Sequence, residues 1–397
     1  MTLFGYGSTT RPIAAQFAPC DIFDDRFTEP SIDAYGNRLL PPKMFDPEAS
    51  ELEVTSPGIA PSHPLIQKAR HLISDYDLFF DRAPFQIWIS GTNGKTTTTQ
   101  MTQWLLESRG SVAGGNLGTP VASLDPHASL WILETSSFTI HYTTKAHPGL
   151  YLLLPITPDH ITWHGGMEAY EAAKLKPLTM MEEGSVAIVP ARYANYPTLA
   201  HLIDYEDAAD LAAKLGIDPS PLRFNGVFLL DAIMALAAQK ILFDDVNYER
   251  INQFVIDGHR QEEFVDARGR LWVDDSKATN LDATIEAVKN YAHRPIHLIL
   301  GGDDKGADLS ELFAFLQGRA LTIYAVGSNA AKIVSMGVAV GLEVVRCDTL
   351  DKAVEAINLR HDAQSVALLS PAAASLDQFS SYKERGEKFK AFVANLS

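Results

Sequence analysis

Cysteine is nearly absent from this chain: Cys20 and Cys347 are the two examples in 397 residues. Two thiols so far apart cannot form a disulfide framework, so a reducing cytoplasm is the expected setting. Positive charge is also scarce, with 33 Lys and Arg against 49 Asp and Glu and a formal net charge of −16. That balance argues against a nucleic-acid-binding surface, which would be basic. An anionic ligand would have to be met by local cations and helix N-termini, not by the overall field. No window approaches the roughly 20 apolar residues of a membrane span. The opening MTLFGYGSTTRP lacks the basic stretch and apolar run of a secretory signal, and none is expected. Repeats, heptad seams and low-complexity tracts are missing as well.

What the chain does have is a globular composition, 46% hydrophobic and 21% charged, and more length than one ordinary core accommodates. Short apolar runs recur, each followed by Gly, Asp, Ser or Asn and then a helix-like stretch. Examples are Phe85–Ile89, Trp131–Leu133, Tyr151–Leu154, Leu271–Val273, Ile296–Leu300, Leu321–Val326 and Val366–Leu369. Runs apolar on both faces suit parallel strands covered by helices, and their alternation with helices predicts α/β domains. Breaks at Asp81-Arg82-Ala83-Pro84 and Asp257-Gly258-His259-Arg260 divide the chain into 1–82, 83–257 and 258–397. The expectation is a Rossmann-like first domain, a central phosphate-loop ATPase domain and a Rossmann-like last domain.

The most informative segment is Ile87-Trp-Ile-Ser-Gly91-Thr92-Asn93-Gly94-Lys95-Thr96-Thr97. A strand enters a glycine turn, then a lysine, hydroxyl residues and an amphipathic helix. Backbone N–H groups of such a turn wrap phosphate oxygens, with the helix dipole behind them. Lys95 would reach the β- and γ-phosphates of ATP, and the Thr96 hydroxyl would coordinate Mg²⁺. Ile89 stands where the common eight-residue phosphate loop has its first glycine. Further on, Glu134 ends one apolar run, and Asp159-His160 follows the next. Both lie where open α/β sheets put their ligands, at strand carboxyl ends.

The form Gly-Thr-Asn-Gly-Lys-Thr resembles that of the Mur ligases and their relative folylpolyglutamate synthase. The resemblance implies roles for residues that composition and spacing alone leave open. Glu134, followed by Ser136-Ser137-Phe138, matches the family's Mg²⁺-binding acidic residue; His160 matches the histidine of the second Mg²⁺ and the substrate. Lys174, in Tyr170-Glu-Ala-Ala-Lys174, matches a lysine carbamylated by CO₂ in the family; without the resemblance it reads as an exposed helix residue. Asn116 in Gly114-Gly115-Asn116-Leu-Gly118 faces the substrate in this comparison. The family's usual asparagine before Asp-His is Pro155 here, and Trp163-His164 follow it.

The last third carries Gly258-His259-Arg260 and Asp275-Ser276-Lys277-Ala278-Thr279-Asn280, a block specific to the family. By resemblance, Arg260 and Lys277 bind ATP phosphates, Asp275 the ribose and Thr279 the incoming amino acid. Two further segments, Gly301-Gly302-Asp303-Asp304-Lys305 and Ser370-Pro371-Ala372-Ala373-Ala374-Ser375-Leu376-Asp377-Gln378-Phe379, resemble the family's D-glutamate-adding branch. Lys305, Thr279 and Ser375 suit an amino acid with two carboxylates, with Leu376 and Tyr382 alongside. In the first domain, Asp24, Arg26 and Ser56-Pro57-Gly58 resemble segments that bind the UDP moiety, although Asp25 replaces a threonine. Asp231 stands where an asparagine contacts adenine, so nucleotide contacts would differ here; Phe228 replaces an earlier asparagine, and for it helix packing is the plainer reading.

The resemblance therefore implies an ATP- and Mg²⁺-dependent cytoplasmic ligase, expected to be monomeric. It would join D-glutamate to UDP-N-acetylmuramoyl-L-alanine through an acyl phosphate, in peptidoglycan precursor synthesis. Domain closure would bring the last domain onto ATP. The alternatives are another amino-acid ligase of the same fold and a phosphate-loop ATPase that makes no bond.

Overall fold

The computed structural model describes residues 1–256, 258–304 and 306–396. The chain folds into two compact units, Met1–Phe254 and Val255–Ser397. Among the described residues there are three six-stranded sheets, two in the first unit and one in the second.

The first sheet contains β1 (Thr2–Phe4), β2 (Asp21–Phe23), β3 (Ser31–Ile32), β4 (Arg38–Leu40), β5 (Glu53–Thr55) and β6 (Leu72–Ile73), in the order β3-β4-β2-β1-β5-β6. Only β3 runs antiparallel to its neighbour. The second contains β7 (Phe85–Ser90), β8 (Ser111–Gly115), β9 (Leu130–Glu134), β10 (Leu150–Leu153), β11 (Val186–Pro190) and β12 (His201–Tyr205). Its order is β12-β11-β10-β7-β9-β8, and every pair is parallel. The third contains β13 (Glu262–Val265), β14 (Leu271–Asp274), β15 (Ile296–Gly301), β16 (Leu321–Val326), β17 (Glu343–Asp348) and β18 (Val366–Leu369). Its order is β13-β14-β18-β15-β16-β17, with only β13 antiparallel.

The apolar runs read as strands all occupy strands. Ile87, Trp88, Ile89, Leu150–Leu153, Leu298–Leu300 and Val366–Leu369 are buried with almost no exposure, as two-sided burial under helices requires. Each sheet has a switch point where the chain leaves a strand in opposite directions. In the first sheet β1 lies between β2 and β5, in the second β7 lies between β9 and β10, and in the third β18 lies between β14 and β15. Crevices at the carboxyl ends of such strands are where open α/β sheets hold ligands. Among the described residues, no helix is long and apolar enough to cross a membrane.

Candidate functional site

At the switch point of the second sheet, β7 ends in Ser90 and the loop Gly91–Gly94 leads into the helix Lys95–Leu106. The loop depends on its glycines. Gly91 has φ +142, and a Cβ there would lie 2.5 Å from the Leu154 Cβ. Gly94 has φ +83 and would place a Cβ 2.6 Å from an Asp231 carboxylate oxygen. Asn93 is exposed at the tip, Lys95 and Thr96 are half-buried, and Thr92 and Thr97 are buried. The Lys95 ammonium donates to the carbonyls of Gly91 (2.9 Å) and Thr92 (2.6 Å), folded back over its own loop. The Thr92 backbone N–H bonds to the Pro155 carbonyl, tying the loop to the segment after β10.

The end of β9 supplies Glu134, which is 3% exposed. One of its carboxylate oxygens accepts from Asn116 Nδ2 at 2.7 Å, and the other is buried without a hydrogen-bond partner. A buried bare carboxylate oxygen costs about 1–3 kcal/mol or more, and an oxygen-seeking cation would relieve it. Lys174, on the helix Met167–Met180, is as deeply buried, which rules out the exposed helix residue it would be without the resemblance. Its ammonium donates to the Gly91 carbonyl (2.8 Å) and, more weakly, to Ser90 Oγ (3.4 Å). Burial, reinforced by the neighbouring charge of Lys95, drives its pKa well below the usual lysine value. A lowered pKa of this kind favours loss of the proton, and the free amine is the form that reacts with CO₂.

His160 lies beyond β10, exposed and in the left-handed region at φ 52, its backbone N–H bonded to Asp159 Oδ1. A non-glycine residue there stores local strain of order 1 kcal/mol. Its ring packs 4.6 Å from that of Phe138, which also packs on Trp163. Ser136 caps the helix Ser137–Tyr142 by accepting from the Thr139 N–H. The loop, Glu134, Asn116 and Lys174 therefore form one constellation. Asp231 does not lie on an open face: it is 2% exposed beneath the loop and accepts from Thr98 Oγ1 at 2.8 Å. Phe228 is half-buried.

At the switch point of the first sheet, a cleft of about 340 Å³ is lined by Gly5, Asp24, Arg26, Ser56, Gly58 and His63, among others. Four residues expected from sequence thus meet in one cleft, and Pro57 sits half-buried between two of them. Asp24 accepts from the Tyr6 N–H (2.7 Å) and pairs with both Arg26 Nε and Nη2, which lowers its pKa to about 2. His63 was not anticipated. Its Nδ1 accepts from the Leu65 N–H, leaving Nε2 to donate to Asp25 at 3.1 Å. The only local sign of it was His63-Pro64 opening a helix.

In the second unit the Asp275–Asn280 loop follows β14. Asp275 is buried, accepts from Ser370 Oγ at 2.7 Å, and burial raises its pKa to about 7. Lys277 is half-buried, with its ammonium 5.8 Å from the centre of the Tyr382 ring, and Thr279 is exposed. Ser375 is buried after β18, and Leu376 is 64% exposed. Arg260 is half-buried beside His259, whose Nδ1 pairs with Asp274 at 2.6 Å. His259, Glu262 and Asp274 cluster closely enough to hold a metal, but the Lys390 ammonium, 2.9 Å from Glu262 and 3.8 Å from Asp274, already occupies the cationic place beside those carboxylates. Lys305 lies outside the described residues.

Comparisons with known proteins agree with these observations. Residues 89–212 match the Mur ligase middle domain, and residues 259–373 match the Mur ligase, glutamate ligase domain. The UDP-N-acetylmuramoylalanine--D-glutamate ligase of Campylobacter jejuni subsp. jejuni serotype O:23/36 (strain 81-176) is 53% identical over 400 residues, covering 100% of both chains. The enzyme of the same name from Helicobacter pylori (strain HPAG1) is 46% identical over 417 residues, covering 99% of both. Among solved structures, MurF from Acinetobacter baumannii superposes with a TM-score of 0.61 at 16% identity, over 98% of this chain and 93% of that one. MurF ligase from Thermotoga maritima, in complex with ADP, gives 0.59 at 15% identity over 87% and 88%. These two likenesses concern the fold alone. Full-length identity of this order, together with both domain matches, establishes that the chain belongs to the Mur ligase family.

Proposed function

We propose that the chain is an ATP-dependent ligase joining the amine of D-glutamate to the L-alanyl carboxylate of UDP-N-acetylmuramoyl-L-alanine. The observation that carries the chemistry is the convergence at one switch point of the Lys95 loop, the bare oxygen of Glu134 and the buried Lys174 against the Gly91 carbonyl. The substrate assignment rests on the Lys305 and Ser375 segments and on full-length relatives of that name.

In this reading the γ-phosphoryl group of ATP passes to the L-alanyl carboxylate, releasing ADP and leaving an acyl phosphate. The D-glutamate amine then adds to the acyl carbon, and the tetrahedral intermediate expels phosphate. Phosphoryl transfer depends mainly on positioning and charge neutralisation. Lys95 swings from its own loop carbonyls to the phosphates, and the Gly91–Thr97 backbone wraps them. Arg260 and Lys277 supply further positive charge, Asp275 holds the ribose, and Asp231 braces the loop beneath the nucleotide. Thr96, Glu134, His160 and a carbamylated Lys174 are the residues that would hold two Mg²⁺ ions; Glu134 fits because an oxygen there awaits a cation. When bound, Mg²⁺ would neutralise charge on the phosphates and the carboxylate. Asn116 fixes the orientation of Glu134, and Ser136 and Phe138 border the acceptor. The cleft with Asp24, Arg26, Ser56 and Gly58 takes the UDP moiety, with Pro57 stiffening its rim. Thr279, Lys305, Ser375, Leu376 and Tyr382 receive D-glutamate.

The division of labour follows residues 1–82 for the UDP-sugar, 83–257 for ATP and 258–397 for the amino acid. A monomer working in the cytoplasm completes the proposal. Mass spectrometry of the nucleotide-sugar after incubation tests it. An ATP-dependent gain of one glutamyl residue is expected, and an unchanged nucleotide-sugar alongside ATP consumption would contradict it.

A further inference from the structure

Arg385 stands in the polar helix Tyr382–Ala394, where a charged side chain would ordinarily face water, yet it is 2% exposed. Removing a guanidinium from water is costly unless its donors are satisfied. Here Nε donates to Ser276 Oγ (2.9 Å), Nη2 to the Ser276 carbonyl (2.7 Å), and both Nη1 and Nη2 to the Ala373 carbonyl (3.1 Å). None of these partners is a carboxylate. Ser276 Oγ in turn donates to the Tyr382 carbonyl at 2.8 Å, locking the helix start to the same loop.

The fork joins the loop after β14 to the loop after β18. A third loop, after β15, touches it: a Cβ on Gly302 would sit 3.3 Å from Arg385 Nη1, and the neighbouring Asp303 pairs with Ala374. These are the strand ends at the switch point of the third sheet. The first loop continues into Lys277 and Thr279 and the second into Ser375 and Leu376; the third leads towards Lys305.

We propose that Arg385 is a positioning residue for the acceptor amino acid. Its planar fork sets the spacing of the loops that grip the two carboxylates of D-glutamate. This rests on the D-glutamate reading above. A lysine retains the charge but cannot span both loops, because it lacks the rigid five-donor fork.

Steady-state kinetics of wild type, Arg385→Lys and Ser276→Ala, varying each substrate in turn, test the proposal. Arg385→Lys is expected to raise KM for D-glutamate at least about tenfold while kcat and the other two KM values stay within about threefold. Ser276→Ala should shift the same KM in the same direction by a smaller factor. An unchanged KM for D-glutamate in Arg385→Lys overturns the proposal, as does a general loss of kcat with that KM unmoved. If Arg385→Lys does not fold, Ser276→Ala decides: an unaltered KM for D-glutamate overturns it. Wild type that ignores D-glutamate overturns the functional reading instead, a failure visible before any variant is made.

Discussion

Glu134 illustrates how a single side chain can reveal its task. One oxygen is held by Asn116 and the other is buried bare, so the residue is poorly solvated without a cation. Glu134→Gln is expected to lower kcat about 10²–10³-fold, the range for losing one preorganised electrostatic group. It should also raise the Mg²⁺ concentration needed for half-maximal phosphate release, while Tm is kept or increased. A variant with full activity and an unchanged Mg²⁺ requirement would remove Glu134 from the site. Asp275 makes a different prediction, about pH. Burial raises its folded pKa to about 7, so the folded state holds a proton that the unfolded state has released. Stability from this group is therefore present below the unfolded value of about 4 and is lost as pH rises to about 7, by at most about 1.4 kcal/mol per pH unit. The Tm of Asp275→Asn relative to wild type should climb across that window and stay flat above it; a constant difference would contradict the assignment. Lys95 was singled out in sequence by its own glycine loop, whereas Glu134 and Lys174 drew their roles from the family resemblance, Lys174 by itself reading as an exposed helix residue. Arg385 was not singled out, since its partner Ser276 lies 109 positions away and its own helix reads as solvent-facing.

Among the elements, the strands of the second and third sheets were the easiest to read. The runs behind β7, β9, β10, β14, β15, β16 and β18 are four to six residues long and mostly buried. By contrast, β8 (SVAGG), β12 (HLIDY), β13 (EEFV) and β17 (EVVRCD) carry polar or glycine residues and gave no such signal. The first sheet was not legible as a sheet, because strands of two or three residues give no periodicity to detect. Asp24, Arg26 and Ser56-Pro57-Gly58, which line or flank its cleft, were singled out by the family resemblance and not by any strand signal. Helices carry their own constraints. In Tyr382–Ala394, a Cβ on Gly386 would overlap His259 Nδ1 and come within 2.6 Å of Asp274. Gly386→Ala would push the helix away from that pair and should cost about 1–3 kcal/mol by overpacking, read as a lowered Tm of the second unit. An undiminished Tm would mean that the His259–Asp274 contact yields easily.

On the scale of the whole molecule, the chain has two compact units, each with its own buried core. Multidomain chains commonly depart from all-or-none unfolding. Calorimetry should accordingly give a measured enthalpy exceeding the van't Hoff enthalpy, and equality of the two would indicate a single cooperative unit. The net charge of −16 sets the other global condition. In the proposed reading anionic substrates would be met by local groups such as Lys95, Arg260 and Lys277, against the overall field, so added salt should not abolish turnover. The most direct test of the central claim is phosphate release with ATP, Mg²⁺ and UDP-N-acetylmuramoyl-L-alanine, supplying D-glutamate, L-glutamate, meso-diaminopimelate or L-lysine in turn. The account predicts release with D-glutamate alone, and only when the nucleotide-sugar is present. Release with another of these amino acids, or with no acceptor at all, would contradict it.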